Sequence, residues 1–458
     1  MKNTFLSRKG FVAALIAALF MCGCDNGNSN ATTQTATKPE PAAPVHSQKT
    51  EQSPQAYQRI KKTYNGQTIY LFDIDDFPLR GVSLPTVKEN ALAGDPAAQY
   101  ELGRRLGSGE GVTRDLQEGI NWIQKAASQN YAEAQFELGM MYSIGTWFKQ
   151  DPNQALNWFL KAAEGGHVLA QDNLSQMYDL GTEVKRDYVR ALYWAQKAAD
   201  QGFGPSQNRL GVIYREGLGV TPDKAKALEW FHKAAKQNEI EAFFNIGNML
   251  NIGEGVPINH VEATRWYRKA AEQGFAEAQN RLGMQYGHGT GVNKDSVEAV
   301  KWYRKAAEQG LALAQYNLGT MHSHGKGVKQ DHIEAYRWYS KSAAQGYAPA
   351  KRNLGSMYYN GNGVQIDDQK AYDYTFQAAK QGDALAIFNL GVFYDDGVAI
   401  SKDTIKSYGH LYLLTTYEND QRDKAINKIA DLKLHLTPAE IQAGEQEARK
   451  LMREYGFE

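Results

Sequence analysis

The residues of this sequence that could take part in chemistry are its histidines and its glycine runs. His288 and His324 hold the same place 36 residues apart, with His322 close by, and imidazole nitrogens are common metal ligands. A metal site would also need cysteine or acidic residues at ligand spacing, and the sequence provides none beside them. We therefore predict surface histidines, no metal site and no cofactor.

The glycine run from Gly107 to Gly111 has the composition of a loop that cradles phosphate groups. A nucleotide-binding loop follows a strand and opens a helix. Here the pattern Gly-x-Gly-Val returns repeatedly, and the sequence before each copy does not read as a strand. The pattern therefore predicts turns between helices. Further copies begin at Gly217, Gly253, Gly289, Gly325 and Gly361.

Motifs and charge give no sign of an enzyme. The sequence contains no nucleophile elbow, no zinc-protease motif and no P-loop. Its 51 basic and 51 acidic residues balance, so it has no basic excess with which to hold nucleic acid. We predict a protein that is not an enzyme and does not bind nucleic acid.

A repeat with a period of 36 residues organises most of the chain. A fixed period in this range predicts a repeat array. Leu-Gly pairs begin at Leu102, Leu138, Leu210, Leu282, Leu318, Leu354 and Leu390, with Leu174-Ser175 and Ile246-Gly247 in the gaps. The tryptophans that keep this period, and that we predict to be structural, are Trp122, Trp158, Trp194, Trp230, Trp266, Trp302 and Trp338.

Each repeat reads as two helices joined by a glycine turn. In the copy at 275–310, small and apolar residues predict a first helix from Ala276 to Gly287, and either Asp295 or Ser296 can cap the second. Gly310 is expected to end the second helix in a left-handed conformation. The predicted buried residues of the second helix are Val297, Ala299, Val300, Trp302, Tyr303, Ala306 and Ala307.

This pattern resembles the Sel1-like repeat, a relative of the tetratricopeptide repeat. The resemblance rests on Ala278, Leu282, Gly283, Tyr286, Gly289, Gly291, Val292, Ala299, Trp302, Lys305, Ala306, Ala307 and Gly310. It implies an all-α fold, an α-solenoid of about nine 36-residue helix-turn-helix repeats. It also implies a scaffold for protein partners.

Residues 1–23 are predicted to be a lipoprotein signal peptide. A short apolar run ends at Met21-Cys22-Gly23-Cys24, which resembles a bacterial lipobox with Cys24 as the lipidated residue. The lipid would hold the protein at a membrane surface. The alternative is an ordinary secretory signal cut after Gly23. Asp25 resembles an inner-membrane retention signal, so we predict a lipid-anchored, periplasm-facing protein of the bacterial envelope, with the inner membrane favoured.

The remaining chain divides into four segments. Residues 24–57 are polar and proline-rich, which predicts a disordered tether. Residues 58–90 contain a strand-like run from Thr68 to Ile74 and are predicted to cap the first repeat, or else to bind a partner themselves. The repeat solenoid is predicted over 91–418. Capping helices are predicted over 419–458, one of them opened by a capping box at Thr437.

The candidate partner-binding residues come from the resemblance, which places the first helix of each repeat on a concave face. The two residues directly before the leucine of each Leu-Gly pair have amide, guanidinium or aromatic side chains in many repeats. Such side chains suit the binding of an extended peptide or a partner helix. The alternative is that the asparagines bond to the backbone of the neighbouring repeat and only hold the stack together. The candidates are Phe136, Arg209, Phe244, Asn245, Arg281, Tyr316, Asn317, Arg352, Asn353 and Phe388.

Trp147 is the only tryptophan outside the 36-residue register. It lies in the turn of the second repeat, where Phe148 takes the place of the usual valine. We predict that Phe148 fills that place in the core. Trp147 is then either a binding hot spot or a residue that packs on the adjacent loop.

Taken together, the sequence predicts a non-enzymatic scaffold, a membrane-tethered envelope lipoprotein that binds partner proteins through its solenoid surface. One alternative is an immunity or inhibitor protein that neutralises a lipase-type effector acting in the periplasm, a role that some Sel1-like lipoproteins have. Another is a peptidoglycan- or polysaccharide-handling enzyme or accessory protein. That function would need paired carboxylates in a cleft, and none stands out in the sequence.

Overall fold

The computed structural model describes residues 58–64, 67–73, 79, 81–145, 147–181 and 184–457. The predicted signal peptide, Cys24 and the tether lie outside these residues. Among the described helices, none is both long enough and apolar enough to cross a lipid bilayer. The chain forms two compact units, the first ending at Ala242 and the second beginning at Phe243.

The described chain begins with two strands, β1 (Gln58–Tyr64) and β2 (Gln67–Asp73). They pair antiparallel, with Gln58 opposite Asp73 and Tyr64 opposite Gln67. The strand predicted at 68–74 is thereby confirmed. Residues 65 and 66, where the turn was expected, lie outside the described residues.

Helices make up the rest of the described chain. After α1 (Leu84–Leu92) come nine helix pairs, in which we call the first helix A and the second helix B. The A helices are α2 (Pro96–Ser108), α4 (Ala132–Ile144), α6 (Val168–Leu180), α8 (Gly204–Glu216), α10 (Ile240–Ile252), α12 (Ala276–His288), α14 (Ala312–His324), α16 (Ala348–Asn360) and α18 (Ala384–Asp396).

The B helices follow the same spacing, and two more helices close the chain. The B helices are α3 (Leu116–Ser128), α5 (Pro152–Glu164), α7 (Tyr188–Asp200), α9 (Lys224–Lys236), α11 (His260–Glu272), α13 (Ser296–Glu308), α15 (His332–Ala344), α17 (Asp368–Ala379) and α19 (Thr404–Leu413). The last two helices are α20 (Arg422–Lys433) and α21 (Pro438–Glu454). Within each unit, successive helices along the chain pack on one another, as expected of an α-solenoid.

The two helices of a repeat are held together by the Leu-Gly glycine and the residue 20 positions later. A Cβ atom added to Gly283 of α12 would lie 2.7 Å from the Tyr303 ring of α13. No carbon atom tolerates that distance, so a side chain at this position would push the helices apart. The same contact joins Gly139 to Phe159, Gly211 to Phe231, Gly247 to Tyr267 and Gly319 to Tyr339.

The third repeat shows why one member of the series lacks this glycine. Ser175 replaces glycine there, and the residue 20 positions later is Ala195 instead of an aromatic residue. Both are fully buried. The space that the missing ring leaves is available to the serine side chain, so the departure from the repeat is compensated within the same pair of helices.

Glutamine side chains connect consecutive repeats. Gln279 of α12 donates a hydrogen bond from Nε2 to the carbonyl oxygen of Ala271, at the end of the preceding B helix, over 3.0 Å. Its own Oε1 accepts from Nε2 of Gln309 over 2.8 Å. A helix end has carbonyl groups without helical partners, and this bond satisfies one of them. The same donation is made by Gln99, Gln135, Gln171, Gln207 and Gln315.

The glycine turns bring each repeat close to the one before it. Gly289 ends α12 with φ +77, and Gly291 follows with φ +72, both in the left-handed region. A Cβ at Gly291 would lie only 2.1 Å from the carbonyl oxygen of His260, the first residue of the preceding B helix. Asp295 then caps α13 by accepting from the backbone N–H groups of Val297 and Glu298, which decides between the two predicted caps.

The prediction that Val297 is buried is wrong. Six of the seven residues expected inside α13 are buried, but Val297 is 54% exposed. At 100° per residue, Val297 lies about 140° from the centre of the face that the other residues form. Its apolar character therefore does not serve the packing of this repeat.

Both ends of the array are covered by other segments. At the start, α1 buries Val87 and Ala91 next to α2, and the buried Arg105 donates to the carbonyl oxygens of Val82 and Leu79 over 2.9 and 3.3 Å. At the end, α21 packs on α19. The predicted capping box at Thr437 is present, with both of its hydrogen bonds to Glu440.

His410 takes the place of the periodic tryptophan in α19 and ties the last helix to the array. It is buried, with Nδ1 positioned 2.8 Å from the carbonyl oxygen of Lys406, to which it donates. Nε2 then accepts from the hydroxyl of Tyr455 over 3.2 Å. Burial lowers the pKa of His410, which keeps the ring in the neutral form that this arrangement requires.

We expect Gly283→Ala to destabilise the second unit by about 1–3 kcal/mol, because its methyl group meets the Tyr303 ring. The measurement is the urea midpoint followed by circular dichroism. Ser175→Ala is the matched control, since Ala195 leaves space there and the Ser175 hydroxyl is buried without a partner in the described residues. Equal midpoints for wild type and Gly283→Ala would contradict this role of the glycine.

Candidate protein-binding surface

The predicted surface residues occupy the fifth and sixth positions of the 13-residue A helices. The fifth position proves to be a packing position. The Phe136 ring stacks on His167, with ring centres 4.4 Å apart, and is only 9% exposed. His167 is the last residue of the same repeat. Phe136 is therefore not available as a surface anchor.

The same relation, a fifth-position residue packed on the last residue of its repeat, recurs with different chemistry. Phe244 lies 5.3 Å from Phe275 and Tyr316 lies 5.2 Å from Tyr347, measured between ring centres. In the eighth repeat the pair is ionic, because Arg352 Nη1 lies 3.6 Å from Asp383 Oδ1. Phe388 is half-buried against the C-terminal core. Phe244, Tyr316 and Arg352 each keep a half-buried surface.

The sixth position faces more freely outward. Arg281 is exposed, and Asn245, Asn317 and Asn353 are half-buried. Asn317 donates from Nδ2 to Oδ1 of Asn280 in the preceding repeat over 2.9 Å. Asn353 hydrogen-bonds the hydroxyl of Tyr339. Asn317 and Asn353 thus bond to side chains of the preceding repeat and not to its backbone, which one of the two interpretations expected. Each amide has further donor or acceptor capacity.

Arg209 is tied into the first unit. Its Nε lies 3.6 Å from Asp172 Oδ1, and its Nη1 lies 4.0 Å from Asp179 Oδ2. Asp172 also accepts from the Ser206 hydroxyl over 2.6 Å. Because these groups are largely buried, Arg209 joins neighbouring A helices and is a poor candidate for binding a partner.

The second repeat has an aromatic cluster in its turn. Phe148 stacks on Tyr142, with ring centres 4.5 Å apart, so it fills the place of valine as predicted. Trp147 is half-buried and packs against the same core. Its role as a binding hot spot stays a prediction.

Six of the seven periodic tryptophans are packing residues with a lysine ammonium above the ring. At Trp302, which is 7% exposed, the Lys305 ammonium lies 4.0 Å from the ring centre. A lysine in this position shields the indole from water while its charge stays hydrated. The same lysine contact occurs at Trp122, Trp158, Trp230, Trp266 and Trp338.

The histidines that could have formed a metal site are used locally. Nδ1 of His288 lies 2.9 Å from the carbonyl oxygen of Met284, and Nδ1 of His324 lies 2.9 Å from that of Thr320. His322 is buried, with Nε2 3.4 Å from Nη2 of Arg304. Within the described residues, no group of three or more histidine, cysteine or acidic side chains is arranged to hold a metal ion.

Two buried carboxyl groups lie on the A helices of the first two repeats. Glu101 accepts from Arg105 Nε over 2.7 Å and from Arg104 Nε over 2.9 Å. Glu137 is bonded by the Tyr100 hydroxyl, and burial raises its pKa to about 7 although this bond and Arg104 oppose the rise. Glu137 thereby joins the second repeat to the first, whereas Glu101 pairs with arginines of its own helix.

A feature that sequence reasoning missed is a cavity of about 480 Å³ in the second unit. Its lining includes Tyr336, Tyr358, Ile366 and Lys370, and the two tyrosine hydroxyls are 2.9 Å apart. The next repeat repeats the tyrosine pair, with Tyr372 and Tyr394 also 2.9 Å apart. The two tyrosines of each pair are separated by the same number of residues, and this spacing is the sequence signal from which the pairs could have been found.

Comparison with known proteins decides the family. Nine consecutive segments match the Sel1 repeat, at residues 96–131, 132–167, 168–203, 204–239, 240–275, 276–311, 312–347, 348–383 and 384–413. The chain belongs to the Sel1 repeat family. Its fold is therefore the Sel1 α-solenoid, which is typical of protein–protein interaction scaffolds.

A solved structure agrees with this assignment, and a second is similar in sequence. A Sel1 repeat protein from Oxalobacter formigenes is 34% identical, with a TM-score of 0.55 over 68% of this chain and 90% of that chain. A protective antigen of uropathogenic Escherichia coli strains, which displays an SLR fold, is 30% identical over 82% of this chain and 95% of that chain, with a TM-score of 0.49.

A weaker likeness is to an immunity protein of Pseudomonas aeruginosa. It is 23% identical over 46% of this chain and 81% of that chain, with a TM-score of 0.33, which is too low to carry an inference about function. Among curated proteins, none matches the chain.

The buried Glu137 of the Sel1 array predicts a pH dependence of stability. Because its folded pKa is about 7 against a normal 4.5, its contribution is fully present below pH 4.5 and is lost as the pH rises through 7. The full shift corresponds to about 3 kcal/mol. Glu137→Gln should therefore gain about 2–3 kcal/mol relative to wild type between pH 5 and pH 8.

The measurement is urea unfolding at both pH values. Glu164→Gln, at an exposed helix end in the same repeat, is the control for loss of one carboxyl group. If wild type and Glu137→Gln lost the same stability between these pH values, the folded protein would not hold Glu137 in an elevated-pKa site.

Proposed function

We propose that this Sel1 repeat protein is a non-enzymatic scaffold that binds an extended segment of a partner protein across the A helices of its sixth to ninth repeats. The observation that carries the proposal is the content of the sixth A-helix position. In four consecutive repeats that position holds Arg281, Asn317, Asn353 and Asn389, one exposed and three half-buried. Each offers hydrogen-bond donors, and the asparagines offer acceptors as well.

The spacing of these residues suits a peptide backbone. Packed helices lie about 8–10 Å apart, and an extended chain advances about 3.3 Å per residue. One amide per repeat therefore meets about every third peptide unit if consecutive A helices are spaced by about 10 Å. The bonds of Asn317 to Asn280 and of Asn353 to Tyr339 hold these amides in place and leave each with capacity for a ligand.

An apolar row runs beside the amides. The second position of the last three A helices holds Leu313, Pro349 and Leu385, all half-buried. A groove with aliphatic contacts on one side and fixed amides on the other can bind main chain through hydrogen bonds and select side chains by apolar contact. This combination favours a protein segment over a nucleic acid, which would require an excess of basic residues.

We further propose that the scaffold is tethered to the bacterial envelope by a lipid on Cys24, with the inner membrane favoured by Asp25. The support is the sequence Met21-Cys22-Gly23-Cys24, which lies outside the described residues. A single acyl-modified terminus followed by a polar, proline-rich segment would hold the repeats near the membrane without a spanning helix.

The groove is tested by crosslinking in intact cells, identification of the captured protein by mass spectrometry, and titration of that purified partner. Arg281→Glu combined with Asn389→Ala should weaken binding at least tenfold, because loss of one arginine anchor alone often costs about 2 kcal/mol. Lys236→Glu, at an exposed B-helix end of the first unit, is the matched control. If the folded double variant bound the partner with the same affinity as wild type, the proposal that the partner binds across these A helices would be contradicted.

The tether is tested by Cys24→Ser expressed in a bacterial cell. Wild type should incorporate radiolabelled palmitate and sediment with membranes, because acylation is its only proposed attachment. The variant should incorporate no label and appear in the soluble fraction. Membrane association of unlabelled Cys24→Ser would show that another element attaches the protein.

A further inference from the structure

The second unit exposes a row of aliphatic side chains along the edge where A helices turn into B helices. Six isoleucine and valine residues on this edge each expose between 53% and 63% of their surface. We call this row the aliphatic ridge. It consists of Ile252, Ile258, Val261, Val297, Ile333 and Ile366.

The ridge is continuous because the turns of consecutive repeats touch the starts of the preceding B helices. A Cβ at Gly327 would lie 2.1 Å from the carbonyl oxygen of Ser296 and 2.8 Å from the backbone nitrogen of Val297. Gly291 approaches His260 and Gly363 approaches His332 in the same way. Val261, Val297 and Ile333 each follow directly after the residue so contacted, so they form one line.

The first unit does not have this feature. The positions equivalent to Val261, Val297 and Ile333 are there Gln117, Asn153, Val189 and Ala225. Gln117 and Asn153 are polar and only Val189 is β-branched, so a repeat of this family folds without a β-branched residue at the second B-helix position. The β-branched residues of the ridge also have lower helix propensity than glutamine, lysine or glutamate. Neither the packing of the repeat nor its helix formation explains them.

We infer that the aliphatic ridge is the interface through which two copies of this chain associate. The six residues present on the order of 500 Å² of apolar surface, close to the largest patch that a soluble monomer usually exposes. A stable interface takes about 800 Å² from each partner, so the ridge with its polar borders is large enough. A two-fold dimer needs the same patch on both partners, and a row of similar aliphatic side chains can pack against a second copy of itself.

The charges beside the ridge agree with a second copy. Glu262 pairs with Arg265, Glu298 with Lys301 and Glu334 with Arg337, each with an N–O distance between 2.9 and 3.1 Å. These internally neutral pairs bring no like-charge repulsion when two ridges meet. A membrane-binding edge would instead carry an excess of lysine and arginine. The turns at this edge have no such excess, since they carry Lys294, Lys326 and Lys329 against Glu254, Asp295, Asp331 and Asp367.

The test uses the full chain with Cys24→Ala, so that no lipid is attached, in sedimentation velocity up to about 100 µM. We expect a concentration-dependent monomer–dimer equilibrium. Val297→Glu with Ile333→Glu should weaken dimerisation at least tenfold, because it places four carboxylates in the apolar interface. Val189→Glu, at the equivalent helix position of the third repeat, should leave the equilibrium unchanged. Circular dichroism checks that all variants fold.

A second measurement uses the lipid-modified protein in cells. Val297→Cys should crosslink to a second copy with a short bis-maleimide, and Val189→Cys should not. The inference is overturned if wild type stays monomeric at the highest concentration, or if the ridge and Val189 variants behave alike. It is also overturned if the unlipidated chain is monomeric but floats with phosphatidylglycerol vesicles, because the ridge would then bind lipid.

Discussion

The close approach of the A-helix backbone to the side chain 20 positions later is the constraint on which the repeats depend, and in five of the nine that side chain is an aromatic ring. Gly283 against Tyr303 shows it most simply, because any added carbon at the glycine would overlap the ring. The contact sets how near the two helices of a repeat lie, and the buried alanines and the tryptophan can fill the remaining space only at that separation. In the third repeat Ser175 is larger than glycine and Ala195 is smaller than an aromatic residue, so the same close approach of the two helices is possible.

The buried packing residues determine the structure of each repeat, so particular surface positions are free to vary. In the Sel1 array these are the sixth position of the A helices and the second position of the B helices. The fifth A-helix position is not among them, since its residue packs on the last residue of the repeat, whether as Tyr316 with Tyr347 or as Arg352 with Asp383. Substitutions at these two positions can therefore determine which partner is bound without destabilising the fold.

This division also explains what could be predicted from the sequence. Helices, turns and their boundaries follow from spacing, because glycine, leucine and tryptophan recur in one register. Side-chain partners do not follow from spacing. The pairing of Arg209 with Asp172 depends on which residue the neighbouring helix supplies. The exposure of Val297 depends on its angular position around the helix axis, which a list of apolar residues does not give. The glutamine bonds between repeats were visible as a periodic residue, yet their carbonyl partners appear only once helix ends are placed.

The two proposed surfaces of the second unit use different elements, so binding at one need not block the other. The amide groove lies on A helices, and the aliphatic ridge lies at the edge where A helices turn into B helices. A dimer formed along the ridge would carry two grooves and two lipid anchors. Two lipid anchors on one particle hold it at the membrane more firmly than one, because the second binds intramolecularly. Two grooves in turn raise the effective affinity for a partner with two binding segments. Association through the ridge would thus strengthen both membrane attachment and partner capture with no additional contact in either.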